Sequence, residues 1–90
     1  MSVIRMYCTA ICPYCDRAER LLVRRGLGGH LEKVRVDRDR EELAKMFRMT
    51  RRRSVPQIFI GDRHVGGYDD LVELDMEGEL DALIAEAGIS

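Results

Sequence analysis

Val3-Ile4-Arg5-Met6-Tyr7-Cys8 leads within a few residues to Cys12-Pro13-Tyr14-Cys15, and that pair of thiols opens the stretch Asp16 to Arg25. The first run, with its β-branched residues and tyrosine, reads as a strand. Beyond Pro13, the residues Ala18, Leu21, Leu22 and Arg25 recur at helical spacing. Asp16, Arg17, Glu19, Arg20 and Arg24 cover the other face, and Gly26 stops the helix. Pro13 at the first helical position makes Cys12 the cap residue. The Cys12 sulfur then faces unpaired backbone N–H groups and the positive end of the helix dipole, both of which favour thiolate over thiol. Cys15, one turn on, is within reach of any mixed disulfide formed on Cys12. Strand, dithiol and helix together read as a redox centre.

The rest of the chain extends this start into an α/β domain. Leu31 to Asp37 alternates around Val34 and Val36, a second strand. Asp39 caps a helix whose inner face carries Leu43, Met46 and Phe47. Arg51-Arg52-Arg53-Ser54 is a loop, and Gly61-Asp62 between Gln57–Ile60 and Arg63–Val65 signals a hairpin. Gly66-Gly67 breaks that second hairpin strand. Asp70-x-x-Glu73 has the pattern of a capping box ahead of Leu71 and Leu74, with Asp70 as a plain helix cap. Gly78 divides this segment from a last helix carrying Leu80, Leu83 and Ile84. The order is βαβαββα with an extra C-terminal helix, and residues 1–90 are expected to form one domain.

Composition narrows the function classes. The chain has 90 residues, 46% of them apolar, enough for one small core. No apolar run approaches the ~20 residues of a membrane span, and Met1-Ser2-Val3-Ile4-Arg5 lacks the pattern of a signal peptide. A cytoplasmic location is therefore the default expectation. Its three cysteines crowd between Cys8 and Cys15, which suits chemistry better than stapling. Net charge is −1, but all fifteen Lys and Arg lie in residues 1–63 and eight acids without a single Lys or Arg follow from 64 to 90. Such asymmetry either orients a charged partner or forms two solvated faces that neutralise each other. Arg51 to Arg53 lack the aromatic stacking platform of a nucleic-acid site.

Cys12-Pro13-Tyr14-Cys15, Ser54-Val55-Pro56 and Gly66-Gly67-Tyr68-Asp69-Asp70 together resemble the CPYC, TVP and GG-x-D-D signatures of dithiol glutaredoxins, bacterial-like members of the thioredoxin-fold superfamily. The resemblance covers essentially the full length. It implies a thioredoxin-like, four-stranded mixed sheet flanked by helices. It also implies a glutathione-dependent thiol–disulfide oxidoreductase that serves cell redox homeostasis and electron transport. Cys12 would be the nucleophile and Cys15 the resolving thiol. Protein disulfides and glutathionylated proteins would be the substrates, glutathione the co-substrate, and the protein a monomer binding neither nucleic acid nor membrane. Val55 would pair its main chain with glutathione as an added strand would, beside a cis Pro56. Gly67, Tyr68 and Asp69 would receive the γ-glutamyl end, whose carboxylate suits the N–H groups of a helix start. Tyr14 would contact the ligand.

Two positions depart from the family pattern. Thr9 stands where a lysine is usual, and Leu43 where many members present Gln or Arg to the glycine carboxylate. Arg53, with Arg52 as the lesser candidate, is expected to supply the missing cation, since an arginine fork suits a carboxylate. Zinc would need four ligands, and Cys8, His30 and His64 offer no second pair at zinc spacing. No metal is therefore expected. Cys8 reads as a buried strand residue, His30 and His64 as surface residues, and the methionines as core fillers. The competing function is a dimer holding an iron–sulfur cluster through Cys12 and external glutathione, against which Pro13 argues. A third reading is a thioredoxin-like donor that uses no glutathione.

Overall fold

Ile4–Cys8 forms β1, and its alternate residues send Ile4, Met6 and Cys8 to one face of a sheet and Tyr7 to the other. The computed structural model describes residues 3–88, so the ends of the expected 1–90 unit, 1–2 and 89–90, lie outside the described residues. The order continues α1 (Pro13–Arg24), β2 (Leu31–Arg35), α2 (Arg40–Thr50), β3 (Gln57–Ile60), β4 (Arg63–Gly66), α3 (Tyr68–Met76) and α4 (Glu79–Glu86). The sheet order is β2-β1-β3-β4. β1 runs parallel to β2 and antiparallel to β3, with Met6 opposite both Lys33 and Ile58. β3 and β4 form the hairpin around Gly61, which takes φ +59°. A crossover helix between β1 and β2 makes the first pair parallel, and a tight turn makes the last pair antiparallel. The mixed sheet follows from those two connection lengths.

The two faces are unequally covered. α1, α3 and α4 pack on one face, where Ile4, Met6, Leu22, Ile58, Leu71 and Leu80 are enclosed. α2 alone packs on the other, against Tyr7, Val36 and the edge of Phe59. A single helix over one face encloses little, and only Met46 of α2 is fully buried. Leu43, expected on the inner face, is instead 41% exposed, and Phe47 is half-buried.

Helix ends are set by specific side chains. Asp39 caps α2 by accepting from the N–H groups of Glu41 and Glu42 at 2.9 and 3.3 Å. α1 closes where Arg25 donates its backbone N–H to Leu21 and Leu22, just before Gly26 at φ +77°. The start of α3 corrects the expectation from sequence. Asp70 is not the cap: the helix begins earlier, at Tyr68, with Gly67 in the cap position. Asp70 is its third residue and folds back to accept the Gly67 N–H at 2.8 Å. The turn is made by Gly66 at φ +116°, a conformation that costs a residue with a Cβ about 1–3 kcal/mol.

That geometry predicts the effect of one methyl group. In Gly66→Ala the new Cβ would strike the Asp70 carboxylate that holds Gly67. The variant is expected to lose about 2 kcal/mol of stability, read as a fall in Tm of roughly 8–16 °C in a thermal melt. An unchanged Tm would show that the turn is not constrained as described.

Candidate functional site

Cys12 sits where the loop after β1 enters α1, with extended backbone (φ −149°, ψ 95°) and Pro13 next. Pro13 has no N–H to offer, so the first donor that can turn toward the cap sulfur comes later. It is Cys15, whose N–H donates to Cys12 Sγ at 3.1 Å. The two cysteines are joined by a disulfide, with Cα atoms 5.2 Å apart. Both are nearly enclosed, Cys12 at 7% and Cys15 at 4% exposure. Their rim is not: Ile11 and Tyr14 stand out at 91% and 54% exposure. The Arg17 guanidinium lies 5.3 Å over the Tyr14 ring.

The loop before the dithiol is tied to β2. Asp37 accepts the Ala10 N–H at 3.2 Å and a two-pronged pair from Arg35 at 2.7 and 2.8 Å. The Arg35 hydrogen bond, chiefly, holds the Asp37 carboxyl well below the usual carboxylate range. Thr9, at the position of the missing lysine, is half-buried and turns its hydroxyl to the Ile11 carbonyl at 3.4 Å. It offers no cation to the dithiol.

A groove of about 190 Å³ lies beside Cys12. It brings together Tyr14, Val55, Pro56, Gly67, Tyr68 and Asp69, each expected at the site. Cys12 Sγ is 3.9 Å from the Val55 carbonyl. The Val55–Pro56 peptide bond is cis. The start of α3 forms part of the wall, where Tyr68 lies 6.2 Å from Tyr14, centroid to centroid. Arg53 is not in this wall: its guanidinium lies 4.9 Å over the Phe47 ring. Arg52 lines the groove instead and pairs with Asp70 at 3.3 Å. Arg51, at φ +59°, turns the chain at the end of α2, just before the two arginines part.

Sequence reasoning missed two members of this region. Gln57, in the groove wall, is 1% exposed, and its amide donates to the Ser54 carbonyl at 3.0 Å. A lone amide in an otherwise apolar strand was the available signal. His64 is not the surface residue expected: it is half-buried, 2.7 Å from Gln57 and stacked 5.0 Å from Phe59. Burial first, and Arg52 second, pull its imidazole below the ordinary value, while Asp70 opposes them. His30 is likewise half-buried, in a short turn before β2.

Cys8, by contrast, is where the sequence put it. It is buried at 4% exposure and unbridged. A separate cavity of about 280 Å³ has both Cys8 and Cys15 in its wall, with Lys33 and Arg35. Burial pushes the Cys8 thiol up, and those two cations only partly offset it.

Comparisons with known proteins converge. A family model described as Glutaredoxin matches residues 4–65. Over 84 residues the chain is 49% identical to a glutaredoxin of Neisseria meningitidis serogroup A, covering 93% of this chain and 98% of that one. Glutaredoxin 3 of Escherichia coli K12 is 38% identical over 84 residues, 93% of this chain and 99% of that one. Among solved structures, a buckwheat glutaredoxin–glutathione complex superposes with a TM-score of 0.86 at 27% identity, covering 97% of this chain and 80% of that one. The solution structure of a Brucella melitensis glutaredoxin gives 0.79 at 42% identity, with 93% and 89% covered. The fold is thioredoxin-like, as expected.

The unequal settings of the three thiols predict their reactivity. In the reduced protein at pH 7, iodoacetamide is expected to label Cys12 first and Cys8 last. Because Cys8 is raised above the ordinary thiol value of about 8.5, its thiolate stays scarce until the pH is well above neutral. Peptide mass spectrometry of timed samples reads the order. Native-state labelling of Cys8 at the rate of Cys12 would overturn it.

Proposed function

Because the chain belongs to the glutaredoxin family and is a thiol–disulfide oxidoreductase, we propose that it takes its electrons from glutathione and reduces glutathionylated proteins and protein disulfides. The observation that carries this reading is the position of Cys12. Its sulfur accepts the Cys15 N–H at a helix start and lies 3.9 Å from Val55, in the wall of the adjoining groove. Likeness to a glutaredoxin solved with glutathione supports the same ligand.

The chemistry is two exchanges. The Cys12 thiolate attacks the glutathione sulfur of a protein–glutathione disulfide; the protein leaves as a thiolate and Cys12 keeps glutathione as a mixed disulfide. A second glutathione thiolate then attacks the bound glutathione sulfur, forming oxidised glutathione and freeing Cys12. Alternatively Cys15 attacks the Cys12 sulfur, expels glutathione and closes the Cys12–Cys15 disulfide. With a protein disulfide, Cys12 takes one protein sulfur as the mixed disulfide and frees the other as a thiolate. Cys15 then expels the first, and two glutathione thiols reduce the Cys12–Cys15 disulfide and leave as oxidised glutathione. With no cation from Thr9, stabilisation of the Cys12 thiolate falls to the helix start and the Cys15 N–H. A low-pKa thiol also leaves readily, which speeds each release of Cys12.

Groove residues take the parts of glutathione by their chemistry. The Val55 main chain pairs with the cysteinyl residue beside Pro56. The first N–H groups of α3, at Tyr68 and Asp69, suit the γ-glutamyl carboxylate, and the exposed Asp69 carboxylate suits its ammonium. Tyr14 closes over the ligand. Arg52, in the groove wall, takes the part for the glycine carboxylate that Arg53 was expected to play. Its exposed pair with Asp70 is cheap to exchange for a ligand. Residues 1–90 act in this reading as one monomeric domain, working in the cytoplasm in redox homeostasis and electron transport.

Two experiments test it. Cys12→Ser is expected to abolish turnover of a glutathionylated peptide, and Cys15→Ser to retain it while losing activity on protein disulfides. Full activity of the Cys12→Ser protein in a glutathione-reductase-coupled assay would refute the assignment. Arg52→Ala is expected to raise KM for glutathione about tenfold or somewhat more, the low end of what a hydrogen bond between charged groups is worth, because Arg52 is half-exposed. Arg53→Ala should leave it within about twofold. The reverse ranking would return the role to Arg53.

A further inference from the structure

Gln57 is a buried polar side chain of this domain's described core, and its two amide atoms have different partners. Nε2 donates to the Ser54 carbonyl at 3.0 Å and also reaches Ser54 Oγ at 3.3 Å. A carbonyl only accepts, so the amide nitrogen must face Ser54. Gln57 Oε1 then faces His64 Nε2, 2.7 Å away, and can only accept. The donor–acceptor accounting leaves one solution: neutral His64 carries its proton on Nε2.

The arrangement joins a strand to the loop that lines the groove. Phe59 pairs with His64 across the hairpin, and the β3–β4 register slips between Ile58 and Phe59. Stacking on Phe59 at 5.0 Å holds the His64 ring. Gln57, 1% exposed, cannot turn to water if that partner is lost. Its carbonyl oxygen would be left unpaired, and the amide would be free to rotate off Ser54. The next residues after Ser54 are Val55 and Pro56, both in the groove wall.

We propose that His64 is a positioning residue for glutathione: through the Gln57 amide it fixes Ser54, and so the Val55–Pro56 edge against which the ligand pairs. His64 is not itself in the groove wall, and its hydrogen-bonded link to the Ser54 loop runs through Gln57. The proposal rests on the glutathione reading above.

The test compares wild type, His64→Leu and His64→Gln with a glutathionylated peptide and glutathione. His64→Leu removes the donor and is expected to raise KM for glutathione about five- to tenfold, with kcat changed by less than about twofold. His64→Gln restores an N–H of similar reach and should bring KM back to within about twofold of wild type. An unchanged KM in His64→Leu, or a Gln variant no better than Leu, overturns the proposal. A purely structural role would lower Tm without this split and without the rescue. The wild-type protein supplies a measurement that needs no variant: nitrogen-15 spectra near pH 8 should show His64 protonated on Nε2. An Nδ1–H tautomer breaks the relay and overturns the proposal even where His64→Leu fails to fold. A wild-type enzyme that glutathione cannot reduce, with the Nε2–H tautomer present, overturns instead the glutathione reading and the ligand named here.

Discussion

The hydrogen bond from the Cys15 N–H to Cys12 Sγ, 3.1 Å long, is the interaction on which the site depends. A helix start leaves N–H groups unpaired, and most proteins cap them with a hydroxyl or carboxylate. Here the cap atom is the sulfur. The same atom therefore closes the helix and belongs to the redox pair, and a change to either role disturbs the other. Pro13 enforces the arrangement because it fixes the helical φ and has no N–H to compete for the sulfur. Behind the cap, Cys15, Ala18, Leu21 and Leu22 are buried on the inner face of α1. The cap is held in place by the core.

Around that fixed sulfur the groove is assembled from pieces far apart in sequence. One side is the loop from Ser54 to Pro56, the other the start of α3. Asp70 ties these pieces together with one oxygen, accepting the Gly67 N–H at 2.8 Å and pairing with Arg52 at 3.3 Å. Gln57 ties the same loop to β4, through Ser54 and His64. On the proposed reading neither residue needs to touch a reacting atom to matter, since a groove that pairs with an extended ligand is sensitive to its backbone positions. Uncompensated polar groups are costly in such enclosed places, which is why Gln57, with both amide atoms occupied, can be buried.

The strand–dithiol–helix opening was legible because each of its signals is local: alternation, Pro13, and a helical stripe ended by Gly26. The hairpin was legible for the same reason, from Gly61 and Asp62. What was not legible depended on neighbours brought in by the fold. Asp70-x-x-Glu73 has a capping-box spacing, yet the turn at Gly66 starts the helix earlier and makes Asp70 its third residue. Arg52 and Arg53 are equivalent in a sequence; a left-handed Arg51 and the Phe47 ring separate them. His64 lies in a strand pattern that fits a solvent-facing position. Its burial comes from Phe59 and Gln57 across the hairpin, a pairing whose register slips beside it. Leu43 erred the other way, because helical spacing cannot say how wide a face the sheet will cover.

Charge placement follows the same division between holding and orienting. The basic first part of the chain and the acidic last part meet at Arg25–Asp75, at 2.7 Å, and at Arg52–Asp70. The arginines of both pairs are half-exposed, and such surface pairs contribute roughly 0–1 kcal/mol each. They cannot be what holds α3 against the rest; Leu71, fully enclosed between sheet and helices, does that. In the proposed reading, weakness is nevertheless useful at Arg52. A strongly buried pair would hold the guanidinium away from an incoming carboxylate, whereas an exposed one exchanges partners at little cost. The groove then keeps a cation in its wall before a ligand arrives, pointed by Asp70 and free to leave it.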